Sequence, residues 1–146
     1  MNEYLEKARN ELKRSDHLVY VSLKYTRTCD VIHNTIQRLV NAYDFAILAV
    51  LDKAKSSGKI DSIPSSNRAR ADIVSKFKKN IKPYLKIYFL LIEITEADFD
   101  RVSEYRKGVT LISRISENKT INVDVPTLMS YFENAKEFVD VMEEWV

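Results

Sequence analysis

The run from Asp30 to Ala54 contains no glycine or proline and sets Ile32, Ile36, Leu39, Tyr43, Ala46 and Val50 three or four residues apart. That spacing returns each residue to one side of an α-helix, so the run predicts a helix of about seven turns, roughly 40 Å long. Phe45, Leu48 and Leu51 fall outside the stripe, which predicts that the second half is covered on more than one side and makes this helix the central packing element. An opposed stripe carries Asp30, Asn34, Gln37, Asn41 and Asp44. Exposed helix faces are usually filled by Glu and Lys, whereas Asn and Asp compete for backbone hydrogen bonds. The stripe therefore lies in solvent, lines a polar cleft or faces a partner subunit.

Only two glycines and three prolines interrupt the 146 residues, which favours long helices over a sheet with many turns. A first helix is expected from about Glu3 to Val21, with Leu5, Ala8, Leu12, Ser15 and Val19 as its buried line. Ser22 to Arg27 reads as a connector, with Thr26 or Thr28 capping the long helix. Ser56 to Asn67 is a loop, and the helix that follows either bends at Pro83 or breaks into two at Asn80 to Pro83. Asp98 is read as the cap of a fourth helix containing Phe99, Val102, Tyr105 and Val109, and Glu117 to Asp124 as a second loop. Leu128, Phe132, Ala135, Val139 and Met142 then form the core ridge of a last helix, Pro126 to Trp145. Ile60 to Ile63 and Thr120 to Val125 are short for paired strands and read as loops. The expected fold is all-α: a single domain over residues 1–146, a four- or five-helix bundle arranged up and down around one long central helix.

One cysteine, Cys29, and two histidines provide neither an internal disulfide nor a zinc pattern. The N-terminus is charged from Glu3 onward, unlike a secretory signal, and the longest apolar run, Ile87 to Ile92, is far below the ~20 residues of a membrane span. These features predict a cytoplasmic protein with no membrane contact, cofactor or metal. A net charge of +2 gives no strongly basic molecule, yet seven Lys or Arg residues lie between Arg68 and Lys86 against Asp72 alone. Five acidic residues against Lys136 fill Thr127 to Val146. The asymmetry steers a partner or pairs one helix with another.

Three groups carry candidate chemistry. Lys76, Lys79, Lys82 and Lys86 make a basic ridge, reinforced by Lys78, that is suited to nucleic-acid phosphates. Arg27 and His33 bracket the start of the long helix; together they offer rigid donors to a phosphate and a group able to move a proton near neutrality. Asp98, Asp100 and Glu104, with Arg101 and Arg106 nearby, read either as a cation site or as a solvated helix start.

The phrases YLEKARNELKRSDHLVYVS, VIHNTIQRLVNAYDFAILAVL and EYRKGVTLIS resemble HEPN-like helical-bundle proteins, particularly small uncharacterised archaeal members. The resemblance implies a compact bundle, often homodimeric. Some members are metal-independent ribonucleases that use an Arg, four to six residues and a His, a spacing Arg27 and His33 meet. Others accompany nucleotidyltransferases or lack catalytic residues. Active members usually carry the motif near a late helix, whereas Arg101 to Gly108 here supplies arginines and no histidine. The expected role is a non-catalytic interaction or assembly module with a protein partner or RNA, associated with nucleic-acid or nucleotide metabolism. The alternatives are a metal-independent RNA endonuclease using Arg27 and His33, and an RNA- or DNA-binding module without catalysis.

Overall fold

The computed structural model describes residues 2–146. Helix α1 (Glu3–His17) runs into a π-helical turn (Leu18–Ser22) and a last turn, α2 (Leu23–Tyr25). The long helix α3 (Cys29–Ser56) is followed by α4 (Asn67–Phe77), a 3₁₀ turn (Lys79–Ile81) and α5 (Lys82–Glu96). Strands β1 (Phe99–Val102), β2 (Thr110–Ser116) and β3 (Lys119–Val123) precede α6 (Val125–Glu143). Among the described residues no helix is long and apolar enough to cross a membrane.

The long helix is central, as its two-sided apolar pattern predicts. It packs on α1, α4, α5 and α6 and touches β2. Ile32, Ile36, Leu39, Tyr43 and Ala46 are wholly buried, and from Ala46 to Leu51 burial extends around the axis to Ile47, Ala49, Val50 and Leu51. Its start is fixed by Thr28, whose hydroxyl accepts from the Val31 N–H at 3.3 Å. Ser66 caps α4 and Asp124 caps α6 in the same way. The break after α4 falls at Lys78–Ile81, and Pro83 occupies the first turn of α5, where its missing N–H leaves no helical bond unmade.

The fold is not all-α. Where a fourth helix and a loop were expected, the chain forms an antiparallel sheet of order β1-β2-β3. Phe99, Val102, Tyr105 and Val109 have helical spacing, but the adjoining Thr110, Ile112, Ile115, Thr120, Ile121 and Val123 are β-branched and fit a pleated surface better. Thr120 to Val123, expected in a loop, pairs with β2 through Arg114↔Thr120, Ser113↔Ile121, Ile112↔Asn122 and Leu111↔Val123. Ile115 is bulged between Arg114 and Ser116. The inner face presents buried Leu111, Ser113 and Val123 to the helices, which places Arg101, opposite Leu111, beside the start of α3.

Candidate functional site

The connection from β1 to β2 adopts a costly backbone. Ser103 and Tyr105 lie at φ 56° and 66°, in the left-handed region that crowds a side chain against the backbone. Gly108, in the same loop, has no positive φ and no crowded Cβ position. The residue best suited to the strained conformation is thus not the one that adopts it.

The surrounding contacts hold the loop in place. Glu104 accepts from the Cys29 N–H at 3.3 Å with both carboxylate oxygens, a negative charge on the positive end of α3. Arg101 bonds Asp30 at 2.8 Å and Glu104 at 3.3 Å, and the first of these holds the Asp30 carboxyl below its ordinary value of 3.8. The Tyr105 N–H donates to the Arg27 carbonyl at 2.6 Å, and the Cys29 thiol donates to that of Thr110 at 3.3 Å. Burial pushes the Cys29 thiol up, so it acts as a neutral donor and not as a reactive thiolate.

This scaffold brings two exposed aromatics to neighbouring segments: Tyr25 is 84% and Tyr105 75% exposed. Beside them is a hollow of about 310 Å³ that takes three cations, Lys24, Arg27 and Lys107, over a floor including Leu23, Val125 and Met129. The π-helical turn forms part of its wall through Val19 and Tyr20. Such turns are frequent at functional sites because they displace side chains from the regular helical register. No acidic side chain among the described residues lines the hollow. Among the described residues, Lys24, Arg27, Arg106 and Lys107 enter none of the ion pairs.

Arg27 and His33 occupy separate surroundings. Arg27 faces this hollow, whereas the His33 ring stacks on Phe99 at 5.3 Å and its Nε2 lies 3.2 Å from the Thr95 carbonyl. The polar stripe also divides. Asp30 pairs with Arg101, Gln37 donates to Asn41 at 3.3 Å, and Asp44, half-buried, accepts from the Tyr88 hydroxyl. Asn34 lines a different hollow, between α1 and α3.

The basic ridge is spread along α4, the 3₁₀ turn and α5, with Lys76, Lys79, Lys82 and Lys86 all exposed. Lys86 borders an α5–β3 hollow of about 560 Å³ with Arg68 and Lys119, where Arg68 lies 4.3 Å over the Phe89 ring. Tyr88 is buried against Tyr43, and Tyr84 packs on Phe138, so neither serves as an open stacking platform. Lys53, Lys59 and Lys78 surround Trp145 in another hollow, at the C-terminal ends of α3, α4 and α6. Cations there answer three negative helix ends. The acidic residues of α6 instead find Arg9 of α1, which pairs with Asp140 at 2.8 Å and with Glu143. Asp100 is engaged by Arg114 and Glu104 by Arg101, and among the described residues no group of three or more His, Cys, Asp or Glu side chains is placed to hold a metal.

The sequence reading missed Lys24, Tyr25 and Lys107, took Tyr105 for a core position of a fourth helix and set Arg106 beside the acidic cluster. Their signal was present as two short phrases, K-Y-T-R and Y-R-K, each setting a tyrosine among cations. Compared with family models, curated proteins and solved structures, the chain matches none.

Proposed function

We propose that this protein is a non-catalytic interaction module that binds single-stranded nucleic acid across the Tyr25–Tyr105 surface. The observation that carries the reading is the juxtaposition of two exposed tyrosines with a hollow of unpaired cations. Single strands are held by a combination of this kind: cations follow the phosphates while aromatic faces stack on bases, each stacked base contributing about 1–3 kcal/mol. Arg27 supplies a planar fork to one phosphate, Lys24 and Lys107 act as mobile point charges, and Arg106 extends the cationic rim. The apolar floor accepts the edge of a base or sugar. The side chains around the hollow offer no carboxylate or imidazole for proton transfer, which favours binding over cleavage.

A cytoplasmic homodimer belongs to the same proposal. The buried free thiol of Cys29 supports a reducing compartment, and sedimentation at micromolar concentration tests the dimer. A HEPN-like relation is part of the proposal as well, with α1 and α3 standing as its paired N-terminal helices.

The direct test is fluorescence anisotropy with a roughly ten-nucleotide single-stranded RNA over a range of salt concentrations. Four phosphate contacts predict that log K falls against log salt with a slope of about −3, and Lys24→Gln combined with Lys107→Gln lowers its magnitude by about 1.4. Absence of binding, or a slope unchanged in the double variant, rejects the proposal.

A further inference from the structure

A second basic hollow lies between the C-terminal half of α1 and α3. Its volume is about 370 Å³, and Lys13, Arg14, His17, Leu18, Asn34 and Arg38 line it. Beneath the two arginines is Glu11, only 7% exposed. Its carboxylate accepts from Arg14 at 3.4 Å and from Arg38 at 3.5 Å. A carboxylate taken out of water requires such partners, since a buried charge left unpaired is costly.

Each guanidinium has five N–H donors in a rigid fork, and those bonded to Glu11 leave others free. The buried carboxylate therefore orients both forks while cancelling only part of the local charge. Arg14 and Arg38 share one carboxylate, Lys13 and Asn34 add further donors to the hollow, and Asp16 lies with Lys13 on the neighbouring α1–α6 hollow. The hollow adjoins the π-helical turn, with Leu18 in this wall and Val19 and Tyr20 in the wall of the Arg27 hollow.

We propose that this α1–α3 hollow is an anion-binding site for a phosphate group, gripped by Arg14 and Arg38 with Lys13 and Asn34 completing the shell. The chemistry is that of a phosphate dianion or diester, whose oxygens match two guanidinium forks. Its source is either a free phosphorylated small molecule or a further phosphate of a bound strand. The proposal stands apart from nucleic-acid binding at the Tyr25–Tyr105 surface, because it requires only phosphate.

The test is titration with inorganic pyrophosphate, followed by NMR of backbone amides and the Asn34 side-chain amide. Saturable shifts at Arg14, Asn34 and Arg38 are expected, with a midpoint independent of any shifts at Tyr105 and Lys107 from phosphate held in the first hollow. Lys13→Gln with Arg14→Gln alters two exposed side chains and leaves Arg38 on Glu11, so the fold is retained; affinity falls roughly tenfold. Arg38→Lys keeps the charge, loses the fork and also weakens binding. Shifts that never saturate, or equal affinity in wild type and the double variant, overturn the proposal. A parallel titration with the single-stranded RNA separates the sources. Weakened RNA binding in the double variant assigns the phosphate to a strand, and unchanged RNA binding with weakened pyrophosphate binding assigns it to a free ligand.

Discussion

Replacing Tyr105 by glycine and by alanine separates the energetic cost of the site from its use. The residue sits at φ 66° and is 75% exposed, so truncation removes little buried surface. Alanine retains a Cβ in the left-handed region, where the clash costs about 1–2 kcal/mol, and glycine removes it. Glycine in turn loses about 0.5–1 kcal/mol more backbone entropy on folding. The difference leaves Tyr105→Gly more stable than Tyr105→Ala by about 0.5–1 kcal/mol. At about 2–4 °C per kcal/mol for a chain of this size, the two melting temperatures differ by roughly 1–4 °C. Both variants lose the stacking face, so both bind single-stranded RNA about 5- to 150-fold more weakly, the equivalent of ~1–3 kcal/mol. Tyr105→Phe retains a π face and binds within about threefold of wild type. Urea denaturation, calorimetry and anisotropy on the same preparations read all of these values. Equal stability of the glycine and alanine variants would refute the strain argument, and unchanged affinity in both would refute stacking.

Three further outcomes follow from contacts around the site and in the core. Glu104→Gln weakens the charge on the start of α3 and costs about 1 kcal/mol in urea denaturation; it also weakens RNA binding because the loop loosens, whereas simple charge arithmetic gives tighter binding. His33→Ala loses the Phe99 stack and the Thr95 contact, lowering stability by about 1–2 kcal/mol while RNA affinity stays within about twofold. Burial raises the Asp44 carboxyl above its ordinary value of 3.8, so the folded state binds the proton more tightly than the unfolded chain and this group's contribution falls as pH rises between the two values. Asp44→Asn keeps an acceptor for Tyr88 without that penalty, so its stability relative to wild type increases from pH 3.5 to pH 7, as measured by urea denaturation; a constant difference counts against the mechanism.

The helical half of the fold was legible because its signals are local. Thr28, one of the two expected caps, caps α3, and the stripes of α1, α3 and α6 are buried as their spacing demands. Phe99 to Val123 was misread because Phe99, Val102, Tyr105 and Val109 satisfy helical spacing by coincidence. The site was half legible. Arg27 stood out by its relation to His33, but they face different surroundings, since Phe99 and Thr95 take up the histidine. Asp30 to Asp44 looked like one face, yet its members meet different neighbours along α3.

The sequence by itself determined the central helix and the core ridges and narrowed that helix's cap to Thr26 or Thr28, because helical periodicity and capping depend on residues within a few positions of one another. Only the tertiary structure decided that residues 99–123 form a sheet, since its inner face, Leu111, Ser113 and Val123, is buried against helices distant along the chain. It also decided that Tyr105 stands exposed beside Arg27, because Glu104 on the start of α3 and a hydrogen bond between distant backbone groups hold it there. No local pattern records either contact.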